Sequence, residues 1–355
     1  MRELWIQRSK DIQPLDSIWR QKARQRLKEQ TRPEGSLGYL ETLIEKIVAI
    51  QKKDRPSLGK KKILIFAGDH GVEAEGVSLF PRDVTKAMVM NFLNGGATIN
   101  ALARHVSAEV EVIDVGVDGH FEDHPCLRKA KIRPGTRNIK REAAMTAEEL
   151  DQALTVGWEA VHQARASGVD ILGIGEMGIG NTTAASAVIA GCLHQEAQGV
   201  TGRGTGLDDQ ALEHKIRVID QALVLHKTSL GSPLGVLQCL GGYEIAAMTG
   251  AILACAHLGL PLVIDGWVVA AAVLVAFQLN PVVLEYIFMA HQSQEKGHRL
   301  ILEAIKTKPI LDLSMRLGEA SGAALAMGIL EAGVRVYNEV ATFAEAKVGE
   351  RKARD

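Results

Sequence analysis

Several features that would mark particular classes of protein are scarce in this 355-residue chain. Aromatic residues make up only 4% of it, so a core must be built from the aliphatic part of the 46% hydrophobic content. A formal net charge of −1 argues against a nucleic-acid binder that works by neutralising phosphates. The first ten residues have no apolar signal segment, which predicts a cytoplasmic protein.

Metal-binding and membrane patterns are also missing. The cysteines form no Cys-x-x-Cys pair, which predicts small core residues in a reducing compartment instead of a zinc site or a disulfide framework (Cys126, Cys192, Cys239 and Cys255). No His, Cys or carboxylate cluster has ligand spacing, so we expect neither a metal nor a cofactor. The apolar stretch 245–277 is interrupted by His257, Pro261 and Asp265. It therefore predicts a buried helix, a strand and a second buried helix, and no membrane span.

Strand-like and helix-like patterns alternate along the chain. Strands are predicted at 62–67, 110–115, around Ile171, at 261–264 and at 285–289, and helices at 85–104, 146–166, 244–257 and 267–278. This order predicts an α/β fold with a mostly parallel sheet and helices on both faces. A charged helix at 10–30 and one helical stretch at 316–346 predict a small helical domain built from both termini. We therefore expect a large α/β substrate-binding domain at 31–300, and a small helical domain formed by 1–30 and 301–355.

Two glycine-rich segments lie close together, at 173–183 (GIGEMGIGNTT) and 201–206 (TGRGTG). The first joins a predicted buried strand to a predicted helix, where backbone N–H groups can bind a phosphate. The alternative is a tight turn whose glycines only relieve backbone strain. Neither segment is a Walker A loop, and the Rossmann fingerprint is poorly matched. Glu176 inside the first loop favours a site with a phosphate at one end and a cationic or proton-donating group at the other.

Polar residues follow the predicted strands at 69–70, 114–118, 176, 265 and 291–293, where the carboxyl ends of parallel strands form ligand sites. Asp69 and His70 could be a catalytic pair, but without a nucleophile nearby a structural or binding role is favoured. Asp208 and Asp209 could suggest a metal, although a helix cap is the better interpretation.

The sequence resembles the nicotinate-nucleotide–dimethylbenzimidazole phosphoribosyltransferase family. The resemblance rests on ordered motifs along essentially the whole chain: TRPEGSL at 31–37, AGDHGV at 67–72, EGVS at 75–78, NGGA at 94–97, both glycine-rich segments, GYEIA at 242–246, IDG at 264–266, AHQS at 290–293 and RLGEASGAALA at 316–326. So many motifs in order are far more specific than a single glycine loop.

The resemblance implies an enzyme that moves the phosphoribosyl group of nicotinate mononucleotide to a benzimidazole nitrogen. The products are α-ribazole 5′-phosphate, used for the lower ligand of cobalamin, and nicotinate. It implies Glu319 as the general base and Glu176 as a second active-site carboxylate. Apolar neighbours should raise the pKa of Glu319 and suit it to that role, whereas the alternative is an acid stabilised by a helix N-terminus.

The resemblance further implies the residues that bind substrate: Ser78, Met88, Gly175, Gly178, Gly180, Asn181, Thr182, Gly202, Arg203, Gly204, Lys215, Asp265, Ser293, Leu317 and Gly318. Lys215 is a candidate phosphate ligand, its alternative being a solvated surface lysine. The expected partners are two small-molecule substrates and a second copy of the chain in a homodimer, with no nucleic acid and no membrane.

One position departs from the family pattern. Ala87 precedes Met88 where the family has a glutamine, which predicts a less polar pocket for the acceptor base. Two other functions remain to be distinguished: a non-catalytic nucleotide or cobamide-precursor sensor, and an NAD-dependent dehydrogenase. The presence of both Glu176 and Glu319 disfavours the sensor, and the missing ribose-binding acid disfavours the dehydrogenase.

Overall fold

The computed structural model describes residues 2–204 and 206–349. Its strands form one parallel sheet in the order β3-β2-β1-β4-β5-β6. The strands are β1 Lys61–Gly68, β2 Ala108–Gly116, β3 Leu127–Lys129, β4 Ile171–Met177, β5 Leu262–Ile264 and β6 Ile287–Met289. The predicted parallel α/β fold is confirmed.

Helices connect and cover these strands. They are α1 Arg2–Lys10, α2 Ser17–Glu29, α3 Tyr39–Gln51, α4 Asp83–Leu93, α5 Thr98–His105, α6 Ala147–Ala166, α7 Asn181–Leu193, α8 Ala197–Val200, α9 Asp209–Leu225, α10 Pro233–Leu240, α11 Tyr243–Leu258, α12 Trp267–Leu279, α13 His298–Ala304, α14 Ser321–Glu339 and α15 Phe343–Ala346. The helix predicted at 146–166 begins as its acidic start suggests, because Thr146 and Glu149 form a reciprocal capping box.

The central strands are buried on both faces. Seven of the eight residues of β1 and all seven of β4 are buried. Helix α11 packs against α6 and contacts β1, β2 and β4, while α14 contacts β4 and β5. Gly173 of β4 lies against Met327 of α14, and Gly68 of β1 lies against Glu244 of α11. The continuous apolar pattern of these strands follows from this two-sided burial.

The strand order predicts where a ligand-binding crevice lies. From β1 the chain moves to β2 and β3 on one side, and then to β4, β5 and β6 on the other. In open parallel sheets, ligands bind outside the carboxyl ends of the strands at such a reversal. The crevice here lies beyond Gly68 of β1 and Met177 of β4.

Several sequence-based expectations need correction. The charged helix predicted at 10–30 spans only Ser17–Glu29, and the separate helix Arg2–Lys10 before it was not predicted. The helix predicted at 85–104 is two helices, because the chain breaks at Asn94, Gly95 and Gly96, where Gly95 has φ of +75°. The helical stretch predicted at 316–346 is irregular until α14 begins at Ser321, and it breaks again after Glu339. The short edge strand β3 was not predicted, since three residues are too few for a clear pattern.

The two ends of the chain meet in a second hydrophobic cluster. Ala23 and Leu27 of α2 pack with Ile44 and Val48 of α3 and with Tyr337 of α14. Other residues of α14, from Ala323 to Val334, belong to the main core under the sheet. We propose that the chain divides into a large α/β domain, residues 31–300, and a small helical domain formed by residues 1–30 and 301–355. Residues 1 and 350–355 of the small domain lie outside the described residues.

The apolar stretch 245–277 forms α11, β5 and α12. In the described ranges no helix is both long and apolar enough to cross a membrane.

Three of the four cysteines are buried free thiols, as expected: Cys192, Cys239 and Cys255. Cys126 is exposed, so its prediction as a core residue was wrong.

Candidate active site

A cavity of about 450 Å³ lies at the carboxyl end of the sheet. It brings together predicted residues from the loops after β1, β4 and β6 and from the segment before α14. Those that line it are Ser78, Met88, Glu176, Gly178, Gly180, Asn181, Thr182, Gly204, Ser293, Leu317, Gly318 and Glu319.

Glu176 lies at the end of β4 and is 7% exposed. Its carboxylate accepts a hydrogen bond from the side-chain amide of Asn181. Burial raises the pKa of Glu176 well above its usual value, and the negative charges of Glu244, Asp265 and Glu319 raise it further. The carboxyl group therefore favours its neutral form until a positive charge comes close.

Glu319 lies in a tight backbone turn that precedes α14. Gly318, Glu319 and Ala320 have φ of +85°, +60° and +63°. The left-handed conformation is costly for a residue with a Cβ, and such residues concentrate at functional sites. Gly318 approaches the Glu176 carboxylate so closely that a Cβ there would lie 2.7 Å from Oε1. The turn thus brings the two glutamates to one wall of the cavity.

The pKa of Glu319 is raised to about 7, first by burial and then by the charge of Asp265. The direction expected from the sequence is confirmed. The alternative of a helix-terminal acid is not supported, because Asp265 occupies the start of α14. Its carboxylate accepts hydrogen bonds from the N–H groups of Ala320, Gly322 and Ala323, at 3.1, 2.7 and 3.1 Å.

Another part of the cavity has the features of a phosphate site. Helix α7 points its N-terminus into the cavity through Gly180, Asn181 and Thr182. Lys215 of α9 is 1% exposed, and its Nζ donates a 2.8 Å hydrogen bond to Oγ1 of Thr182. A Cβ at Gly204 would lie 3.2 Å from that Nζ. A helix N-terminus beside an ammonium group is suited to an anion.

Lys215 is thus not the solvated surface lysine of the alternative interpretation. Burial lowers the pKa of Lys215 to about 8, and the charge of Glu295 opposes this decrease. A phosphate at the same place would favour the ammonium form, since an opposite charge stabilises the charged state.

A third part of the cavity is mainly apolar. Its walls include the side chains of Val77, Phe80, Val84, Met88, Met177 and Leu317, with Ser78 as a polar neighbour. Ala87 is exposed on α4 and is not among these lining residues. Flat aromatic rings suit apolar walls of this kind with a few placed polar groups.

The other predicted site residues lie outside the cavity lining. Gly175 packs directly against the backbone of Ala320, and Gly202 packs against the carboxylate of Glu295. Arg203 forms an ion pair with Asp209 and donates a 2.7 Å hydrogen bond to the carbonyl of Leu207. Asp265 is 1% exposed and does not line the cavity, but its carboxylate binds the backbone that directly follows Glu319. Residue 205 of the second glycine-rich segment lies outside the described residues.

Asp69 and His70 have buried partners that the sequence did not indicate. Asp69 accepts a 2.7 Å hydrogen bond from the N–H of Asp118, and His70 Nε2 lies 2.7 Å from Oε1 of Glu244. His70 also packs against Gly178 and Gly180 of the phosphate loop. The favoured structural role of Asp69 and His70 agrees with these contacts. Asp208 likewise caps α9, accepting a 2.8 Å hydrogen bond from Ala211.

Sequence reasoning placed residues 291–293 at the ligand-binding edge of the sheet, but it counted only Ser293 among the substrate-binding residues and not His291. It did not assign Trp267, Glu295 or Arg316 to the site, although all three line the cavity. Glu295 and Trp267 gave no comparable signal. In the part of the chain that the structure describes, no group of three or more His, Cys, Asp or Glu side chains could hold a metal ion.

Comparison with known proteins identifies the class. A family model described as "Phosphoribosyltransferase" matches residues 12–348. Because the match spans nearly the whole chain, it places the chain in this class of transferase.

Relatives narrow the assignment. The nicotinate-nucleotide–dimethylbenzimidazole phosphoribosyltransferase of Geotalea uraniireducens is 52% identical over 339 residues, covering 96% of both chains. The enzyme of the same name from Chlorobaculum tepidum is 46% identical over 95% of this chain and 96% of its own. The crystal structure of CobT from Thermus thermophilus matches with a TM-score of 0.90 and 44% identity, covering 94% of this chain and all of that one. The chain belongs to the nicotinate-nucleotide–dimethylbenzimidazole phosphoribosyltransferase family.

Proposed function

We propose that this protein transfers the phosphoribosyl group of nicotinate mononucleotide to a benzimidazole-type base, giving α-ribazole 5′-phosphate and nicotinate. The observation that carries the proposal is the placement of Glu176 and Glu319 in one cavity with the N-terminus of α7, next to the ammonium group of Lys215, and with an apolar pocket. The phosphate binds at Thr182, Gly204 and Lys215, and the acceptor ring binds among the apolar side chains.

In the proposed reaction, one ring nitrogen of the acceptor attacks the anomeric carbon as the bond from that carbon to the pyridinium nitrogen breaks. The electron pair of the broken bond stays with nicotinate and neutralises the pyridinium. The proton on the other ring nitrogen passes to the Glu319 carboxylate. A base whose pKa is about 7 is well matched to this transfer near neutral pH.

Glu176 serves the donor side in this proposal. Nicotinate mononucleotide carries a positive charge on its pyridinium ring, and this charge favours the ionised form of a nearby carboxyl group. The ionised carboxylate then stabilises positive charge that develops on the ribosyl carbon, or assists Glu319 as an auxiliary base.

The proposed activity is tested by incubating the protein with nicotinate mononucleotide and dimethylbenzimidazole. We expect nicotinate to be released together with α-ribazole 5′-phosphate, and only when both substrates are present. Binding of both substrates without product would favour a sensor. Reduction or oxidation of a nicotinamide cofactor in place of nicotinate release would favour a dehydrogenase.

The apolar acceptor pocket predicts broad use of benzimidazoles. One methyl group in such a pocket changes the transition-state free energy by only about 1–3 kcal/mol. We expect dimethylbenzimidazole to be accepted without strong preference over unsubstituted or methoxy-substituted rings, as measured by competition between paired bases. Ala87 is exposed on α4 and lies outside the cavity lining, so the expectation that residue 87 sets the polarity of the acceptor pocket is not supported, and Ala87→Gln should leave the ratios between paired bases unchanged. A narrower range of bases in Ala87→Gln, or a large native preference for dimethylbenzimidazole, would contradict this interpretation of the pocket.

A homodimer and a cytoplasmic location complete the proposal. Phe80 and Leu317 are 50% and 52% exposed and line the same cavity. Exposed apolar side chains grouped in this way favour a protein interface. Light scattering that gives twice the 38.3 kDa chain mass would support the dimer, and the chain mass alone would refute it.

A further inference from the structure

His291 stands out among the cavity residues because its polar atoms are buried and unsatisfied. The side chain is 1% exposed and lines the cavity. Neither ring nitrogen has a hydrogen-bond partner among residues 2–204 and 206–349. Its Nε2 lies 3.9 Å from Oδ1 of Asp265, which is beyond hydrogen-bond reach. Buried polar groups are nearly always hydrogen-bonded, so two unsatisfied nitrogens on a side chain that lines a cavity point to a ligand.

The position of the ring is fixed by its surroundings. His291 follows β6 and forms an isolated parallel bridge with Leu311. Gly266 and Gly322 flank the ring, and a Cβ at Gly322 would collide with it. The nearby His298 accepts a 2.8 Å hydrogen bond from the N–H of Ser293 through Nδ1. Burial lowers the pKa of His298 to about 3 and keeps that ring neutral. The segment from His291 to Ser293 is therefore held rigidly.

Residues 291–295 run along the cavity from the side of Glu319 to the side of Lys215. His291, Ser293 and Glu295 are alternate residues, and all three line it. At one end, His291 is next to Asp265, which binds the backbone that immediately follows Glu319. At the other end, Glu295 faces the ammonium group of Lys215 closely enough to affect its pKa. A ribosyl group must bridge the same interval, because its anomeric carbon lies at the carboxylates and its phosphate lies at Lys215.

We propose that His291 recognises a hydroxyl of the ribosyl ring, donating a hydrogen bond from one ring nitrogen or accepting one at the other. A neutral imidazole offers one donor and one acceptor, which matches the hydrogen-bonding capacity of a sugar hydroxyl. This inference rests on the proposed function, which places a ribosyl phosphate in the cavity. It assigns His291 to the choice of sugar and leaves the proton transfer to Glu319.

The test compares nicotinate mononucleotide with its 2′-deoxy and 3′-deoxy analogues. In the wild type, loss of the recognised hydroxyl should lower kcat/KM by about 10- to 100-fold, because a buried polar group is left unpaired. In His291→Phe, kcat/KM for the ribosyl substrate should fall by a similar factor, and the difference between that substrate and the deoxy analogue should largely disappear. His291→Gln, which keeps a donor and an acceptor, should restore part of the discrimination.

Lys215→Met is the matched control. It removes the ammonium group proposed to bind the phosphate, so it should lower kcat/KM for the ribosyl substrate and for its deoxy analogues by the same factor. An undiminished difference between the ribosyl and deoxy substrates in both His291 variants would overturn the inference. Calorimetry with ribose 5-phosphate and 2- and 3-deoxyribose 5-phosphates gives a second readout that needs no acceptor and no turnover. If the wild type releases no nicotinate, the proposed function fails, and the binding measurement still decides whether His291 recognises a sugar hydroxyl.

Discussion

Glu319→Gln is expected to lower turnover by about 10²-fold or more while nicotinate mononucleotide still binds nearly as in the wild type. Glutamine has the size of glutamate but cannot accept the proton that the acceptor base must lose. Steady-state turnover and a separate binding titration measure the two effects. Glu339→Gln, at the exposed C-terminal end of α14, is the control and should behave as the wild type.

The same residue predicts the pH dependence of the wild type. Because the pKa of Glu319 is raised to about 7, kcat should fall as the pH decreases through about 7, where the carboxylate becomes protonated. The residual activity of Glu319→Gln should lack this dependence. Near-normal turnover of the glutamine variant, or a wild-type rate that stays constant down to pH 5, would remove Glu319 as the base.

Features that depend on local pattern could be predicted from the sequence. The strand β1 has a nearly continuous apolar pattern, since a central parallel strand is buried on both faces. In β2, apolar residues alternate with acidic ones in the first half, and only the second half is buried. The proposed phosphate loop was visible because the glycines from Gly178 to Gly180 lie between β4 and α7, and Thr182 is in the first turn of that helix. The fold class follows from the alternation of these patterns.

Features that depend on contacts between distant residues could not be predicted. Asp265 binds the N–H of Ala320 across 55 positions, and His70 pairs with Glu244 across 174. No periodicity records such a pairing. The left-handed conformation of Glu319 is equally hidden, since nothing about a glutamate favours positive φ and only its surroundings impose it.

The strand order also shows why the site must be analysed separately from the fold. The order is that of doubly wound dinucleotide-binding proteins, yet two glutamates line the crevice, and the buried Lys215 donates a hydrogen bond to Thr182 of its lining. A sheet of this kind specifies where a ligand lies, and the side chains specify the chemistry. The family assignment agrees with the side chains.

Asp265→Asn should also lower turnover, by up to about 10²-fold, because the substitution shifts the position of Glu319. The Asp265 carboxylate accepts three N–H groups at the start of α14 and is 1% exposed. An amide has one acceptor oxygen, and its NH₂ group would face N–H donors. Leaving a buried donor unsatisfied costs about 1–3 kcal/mol, so the free energy of unfolding should fall by about that amount. Because a misplacement of about 1 Å can reduce a rate 10²-fold, turnover should fall by up to about that factor.

A pH profile separates this positioning role from simple loss of stability. The charge of Asp265 contributes to the raised pKa of Glu319, so its removal should lower that pKa. The acidic limb of the residual kcat profile should therefore move to lower pH in Asp265→Asn, although the variant is slower at every pH. Asp312→Asn, an exposed aspartate on the loop before the Glu319 turn, should change neither the limb nor the unfolding midpoint. A variant at 265 that unfolds earlier but keeps the wild-type limb would show that Asp265 supports α14 without acting on the protonation of Glu319.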